Sequence, residues 1–223
     1  MLHINKEDVI RYLGLNDQNI DDQTAQEISL VTKQLQQTDS WKVTYRIFSL
    51  EKSKTKVDLL HTALSLQAKS ALQLLVDCDQ CILLAVTLGS QVDQLLTKTQ
   101  LLNISHAYVM DCCASSMVEE LMNDLELKLK EEWMSKGMFF TDRFSPGYGD
   151  LSLDYQKQIC SILETQKLMG LTLSSFGTMV PTKSITAIIG IASKPQKMRI
   201  KGCQYCDFIN NCHYRKGGKR CGS

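Results

Sequence analysis

The sequence predicts an α+β domain, and three observations lead there. Apolar runs of strand type occur at 41–50, 81–87 and 185–192, while helical periodicity governs 22–36, 91–102 and 105–136. The 223 residues are 43% hydrophobic with only three prolines, which suits a folded core rather than a disordered chain. No internal repeat or low-complexity linker divides the body, so one domain over 1–195 is expected, followed by a basic cysteine-rich tail at 196–223.

Each element has a local reason. Residues 4–14 read as a short amphipathic helix ended by Gly14, with Val9, Ile10, Tyr12 and Leu13 for its buried face. Asp21 or Asp22 can cap a second helix reaching Gln36, with Ile28, Leu30, Val31 and Leu35 as its apolar positions. Val43, Tyr45, Ile47 and Phe48 predict the strand at 41–50, and the charged run 51–57 predicts a loop. A further strand is expected at 59–66 and a helix at 70–76.

Residues 81–87 form a continuous apolar run stopped by Leu88-Gly89-Ser90, as in a buried central strand. Helices follow at 91–102 and 105–136. The second repeats Ala107, Val109, Met110, Ala114, Met117, Val118, Leu121, Leu125 and Leu129 at helical spacing. Beyond the turn at 143–149, a helix is expected over 153–169, terminated by Gly170. Strands are expected from 171–173 and at 185–192.

Charge and composition bound the function. No run of 18 apolar residues is present, so no membrane span is expected. The first residues lack a basic segment followed by an apolar one, and a cytoplasmic address is expected. The net charge of +1 conceals an asymmetry: the segment from Lys194 onward carries +7 and leaves −6 on the body. Such a tail reads either as a solvated basic end or as a docking surface for an acidic protein.

Nine cysteines, an odd number, argue against a complete disulfide framework. Cys203, Cys206, Cys212 and Cys221 crowd into 19 residues, where mutual repulsion of thiolates favours a shared cation. Spacing alone leaves zinc and a [4Fe–4S] cluster both open. Cys78 and Cys81 form a second Cys-x2-Cys, but it lies at the entrance to a buried strand and reads as core or edge cysteines rather than a ligand pair. Cys112, Cys113 and Cys160 fall on helices, and no histidine stands in a recognisable relation to any of these thiols, so no catalytic nucleophile is assigned.

The candidate ligand site is the stretch Arg143-Phe144-Ser145-Pro146-Gly147-Tyr148-Gly149, read with Met179-Val180-Pro181-Thr182-Lys183-Ser184. Arg143 offers a planar fork of donors matched to a carboxylate. Pro146-Gly147 imposes a turn expected to leave amides and carbonyls of Ser145 and Gly147 open to a ligand, and Tyr148 can stack or donate its hydroxyl. A small zwitterion suits this set.

These motifs resemble the S-adenosylmethionine-binding activation domain of cobalamin-dependent methionine synthase, most closely as a free-standing relative. The resemblance is carried by RFSPGYGDLSLDYQ at 143–156 and GLTLSSFGTMVPTKSITAIIG at 170–190. EDVIRYLGL at 7–15, AVTLGSQVDQLL at 85–96 and ASSMVEELMNDLE at 114–126 support it, so it spans most of 7–192. It implies a twisted antiparallel sheet surrounded by helices, with S-adenosylmethionine as ligand. Arg143, Ser145, Pro146, Gly147 and Tyr148 would bind it, with Glu119 as the acidic ligand-side residue and Glu120 beside it.

The implied role is that of a reactivation subunit rather than a complete enzyme. Its methyl group would go to cobalamin on a separate methionine synthase or related corrinoid protein, with an electron from a flavodoxin-like or ferredoxin-like donor. Two positions depart from the fused enzymes: Gly149-Asp150-Leu151-Ser152-Leu153-Asp154 replaces a segment with cysteine and histidine, and Ile188-Ile189 replaces aromatics.

Two other readings remain. A zinc-containing basic module binding nucleic acid or protein would use the tail, although that tail has few aromatics, and nucleic acid is not expected as a partner. A stand-alone methyltransferase of Rossmann type would need a glycine-rich loop after its first strand, which is absent.

Overall fold

The computed structural model describes residues 2–15 and 20–196. It contains α1 (Lys6–Tyr12), α2 (Asp22–Gln36), β1 (Lys42–Lys52), β2 (Val57–Leu59), β3 (Ser65–Leu66), α3 (Lys69–Leu75) and β4 (Gln80–Thr87). These are followed by α4 (Ser90–Leu102), α5 (Ile104–Met134), β5 (Phe139–Phe140), α6 (Tyr155–Ile162), α7 (Thr165–Met169), β6 (Thr172–Leu173), β7 (Met179–Val180) and β8 (Ser184–Ala192). Strands run in the order β3-β2-β1-β4-β8-β5, and β6 pairs with β7 apart from them. The chain divides into two compact units, and β1, β4, α5 and β8 each run from one into the other.

The first unit holds residues 1–44, 85–128 and 164–185. Asn5 caps α1, its side chain accepting from the amides of Glu7 and Asp8. The Asn5 backbone is tied to Ser116 of α5 in both directions, at 3.0 and 3.1 Å, which satisfies a fully buried hydroxyl. Of the two expected caps for α2, Asp21 serves, accepting from the Thr24 amide at 2.7 Å. Ile28, Val31 and Leu35 of that helix are buried, whereas Leu30 is 58% exposed and does not belong to the core face. All nine apolar positions expected of the long helix are buried, in α5.

The second unit holds residues 45–84, 129–163 and 186–196 of the described chain. β2 pairs with β1 antiparallel over Leu50–Lys52, β2 with β3, and β5 with β8 through Phe139↔Ala192 and Phe140↔Ile191. The expected strand at 59–66 is a hairpin instead. His61 takes a left-handed φ of 65°, and Thr62 turns the chain, its hydroxyl donating to the Leu59 carbonyl and accepting from the Leu64 amide. Leu59, Leu64 and Leu66 are all buried, so the leucines of both arms of the hairpin reach the core.

The expected helix at 153–169 is also broken. Glu164 adopts a left-handed φ of 51° between α6 and α7. No glycine or proline marks the break. Arg46 donates to the Ile162 carbonyl at 2.9 Å, satisfying one of the orphan carbonyls at the end of α6, while the Thr165 hydroxyl donates to the Leu171 carbonyl at 2.8 Å within the other unit. These partners are distant in sequence from α6 or lie beyond α7, so helical periodicity ran through the break unchecked.

The core of the second unit tolerates no added atom at Gly190 of β8. A Cβ there would lie 2.5 Å from Cys78 Sγ and 2.9 Å from both Leu75 Cδ2 and Thr141 Cγ2. Gly190→Ala is expected to lower unfolding stability by about 1–3 kcal/mol, the usual cost of overpacking. A urea-denaturation midpoint unchanged from the native protein's would contradict this packing.

Candidate functional site

The loop that follows β5 is anchored before it turns. Phe144 exchanges both backbone hydrogen bonds with Ile188 of β8, at 3.0 and 2.8 Å, and its ring is buried. Arg143, immediately before it, is half-buried in the second unit. Pro146 is buried, and the chain then rises to the surface. Gly147 takes a φ of 91° and Gly149 one of 53°, so both occupy backbone conformations that a side chain would strain. Tyr148 between them is 67% exposed and is not a packed turn tyrosine.

One expectation about this loop needs correction. The Gly147 amide donates to the Leu151 carbonyl at 2.7 Å, and the Ser145 carbonyl accepts from the Tyr148 amide at 3.3 Å. Those two groups are therefore spent on closing the turn and are not open to a ligand. The Ser145 amide and the Gly147 carbonyl take no part in these bonds. The turn needs its own cross-links because two glycines leave it with the most backbone freedom to lose.

Asp150 closes the loop. Its carboxylate accepts from the Lys69 amide at 2.6 Å and the Ser70 amide at 3.1 Å, at the start of α3. Burial pushes its carboxyl upward, but the bonds from Ser70 and Lys69 outweigh that effect and hold it below the ordinary value. One residue signals this role: Ala68 precedes α3 and supplies no capping oxygen, so the first turn needs an acceptor from elsewhere.

The second motif lies in the first unit, where it serves the architecture. Asp93, in the first turn of α4, accepts from the Thr182 amide and hydroxyl, both at 2.8 Å. Lys183 is held by Asp111 at 2.7 Å and Ser115 at 2.8 Å, with only 13% of its side chain exposed. The Ser184 hydroxyl lies 2.7 Å from the Pro181 carbonyl and 2.8 Å from the Thr87 hydroxyl, which in turn accepts from the Gly89 amide. A carbonyl can only accept, so Ser184 donates to Pro181 and Thr87 donates to Ser184. Every buried polar group of that turn is thereby satisfied.

Glu119 is half-buried on α5 in the first unit. Burial raises the Tyr12 phenol above its ordinary value, and the Glu119 charge adds to that rise against a hydrogen bond from Arg11. Glu120 is engaged otherwise, at 3.0 Å from His3 Nε2 and accepting from the Asn123 side-chain amide.

Cys78, Cys81, Cys112, Cys113 and Cys160 are all buried and unbridged. Burial pushes the Cys81 thiol far up and the Cys113 thiol to about 12, so neither is a ready thiolate. No group of three or more histidine, cysteine or acidic side chains is arranged for a metal among the described residues. The expected ligands Cys203, Cys206, Cys212 and Cys221 lie outside the described residues. No helix among the described residues is long and apolar enough to cross a membrane.

The fold is similar to that of a solved structure described as "Crystal Structure of the MetH Reactivation Domain bound to AdoHcy". The TM-score is 0.65 at 15% identity, covering 94% of this chain and 76% of that one. No family model and no curated protein matches the sequence. At this identity the likeness establishes the fold: helices with an antiparallel sheet, as the motifs implied.

The chain has nine cysteines, of which the five above are buried. Thiol titration with DTNB is expected to reach at most four groups in the folded protein and all nine after denaturation and reduction. A fifth group reacting before unfolding would contradict the buried assignments.

Proposed function

We propose that this chain binds S-adenosylmethionine at the loop 143–148 and acts as an accessory protein in reductive reactivation of a cobalamin-dependent methionine synthase. The observation that carries the reading is the agreement of the loop motif with the fold. The loop motif points to the activation-domain family, and the fold matches a reactivation domain whose structure holds AdoHcy, the demethylated form of the same ligand.

The loop's chemistry fits an amino acid joined to a nucleoside. Arg143 presents a half-buried guanidinium that pairs with the carboxylate through two parallel hydrogen bonds. The exposed ring of Tyr148 offers a face for the adenine, and the Ser145 amide and Gly147 carbonyl are the backbone groups left to its edge or to the ribose. When bound, the ligand supplies a methyl group on a positively charged sulfur, for transfer to a reduced corrinoid held by a separate protein. A flavodoxin-like or ferredoxin-like donor supplies the electron.

Residues 1–195 would form the binding domain in this reading, and the tail at 196–223 would carry a metal. Cys203, Cys206, Cys212 and Cys221 would hold a [4Fe–4S] cluster or zinc, and the basic residues around them would offset the thiolate charge. The setting would be cytoplasmic, where such thiols stay reduced.

Calorimetry with S-adenosylmethionine on the native protein and on Arg143→Ala tests the site. Charge-assisted hydrogen bonds of this kind contribute about 1.5–3 kcal/mol, so a loss of roughly tenfold to a hundredfold in affinity is expected. Equal affinity in both proteins, or none in either, would sink the assignment.

The tail is tested by absorption spectra of protein purified anaerobically and then exposed to air. A cluster gives broad visible absorption that bleaches in air, and zinc gives a colourless protein with the metal found by elemental analysis. A metal-free protein with reactive tail thiols would remove the metal assignment.

A further inference from the structure

The segment that departs from the fused enzymes contains Asp150, whose carboxylate takes up the first two amides of α3, Lys69 and Ser70. A capping oxygen on residue 68 would serve the helix as well, without involving the loop. The acceptor comes instead from the far end of the ligand loop, eighty residues away in sequence from Ser70. The neighbouring backbone follows it in. A Cβ on Gly149 would lie 3.4 Å from the Ser70 hydroxyl and 3.6 Å from the Phe144 ring, so the loop closes onto its own anchor. A parallel tie stands nearby, where the Gln67 amide donates to the Tyr155 hydroxyl at 3.1 Å.

The loop is thus held at both ends, by β8 through Phe144 and by α3 through Asp150. Between those anchors lie two positive-φ glycines, whose freedom would otherwise be lost each time a ligand binds.

We propose that Asp150 is a positioning residue for the ligand loop: its carboxylate, by tying residue 150 to the first turn of α3, holds 143–148 in its binding shape before the ligand arrives. This rests on the S-adenosylmethionine reading above and assigns the pre-organisation of that site to one side chain. Asp150 does not touch the ligand. It acts through the loop.

The test separates the helix from the loop. Full-length native protein, Arg143→Ala, Asp150→Ala and the double variant Asp150→Ala with Ala68→Ser are compared by unfolding midpoint and by calorimetry with S-adenosylmethionine. The serine at 68 gives α3 a cap of its own but no link to the loop. Asp150→Ala is expected to lower both the midpoint and the affinity, the latter about tenfold, in line with the loss of one charged cap. The double variant is expected to recover the midpoint and not the affinity. Recovery of both together, or native affinity in Asp150→Ala, would overturn the proposal. Where Asp150→Ala does not fold, Asp150→Asn takes its place in both variants; it keeps one of the two acceptor oxygens and so breaks one of the two bonds to α3, and a smaller loss of affinity is expected, native affinity overturning the proposal. No binding by the native protein removes the underlying reading; loss in Arg143→Ala with no change at Asp150 removes this inference alone.

Discussion

A helix begins with amide groups that its own ladder cannot satisfy, and in the second unit this requirement organises the loop beside it. α3 starts behind an alanine, so its opening donors must look outward, and they find the carboxylate of Asp150. That choice draws the end of the 143–150 loop to the helix just as the Phe144 bridge draws its beginning to β8. The guanidinium of Arg143 and the ring of Tyr148 then occupy a segment whose path is set from both sides. Hydrogen bonds within the turn take up two of the four backbone groups that first looked open to a ligand.

The electrostatic arrangement follows the same economy of means. All five described thiols are buried, and burial holds those of Cys81, Cys112 and Cys113 away from the thiolate form. Lys183 is committed to Asp111 and Ser115, and Glu120 to His3 and Asn123. In the second unit's loop, Arg143 is half-buried, and the proposed recognition of a zwitterion rests on its guanidinium.

Local patterns in the sequence made most elements legible. The apolar run of β4, the nine-position periodicity of α5 and the aspartate ahead of α2 each name their element without outside help. Failures came where a distant partner decided the outcome. The break at Glu164 is accompanied by Arg46 reaching Ile162 and Thr165 reaching Leu171, neither of which a helical period can report. The turn at His61-Thr62 hid inside a leucine-rich stretch because its buried residues alternate with the hydroxyl that bends the chain. Leu30 has the hydrophobicity of a core residue of α2, yet it is exposed to solvent. At the site, residue types were readable but bonding states were not, so the sequence could nominate Ser145 and Gly147 without telling which of their groups the turn had already claimed.

The hydroxyl relay through Gly89, Thr87, Ser184 and Pro181, with Asp93 gripping Thr182, has a consequence for how such motifs are weighed. Half of the paired signature is scaffold. The bonds of this turn account for those residues whether or not a ligand binds at the loop 143–148. A match to Met-x-Pro-x-x-Ser therefore reports the shape of a turn, and the proposed ligand chemistry rests on the arginine loop.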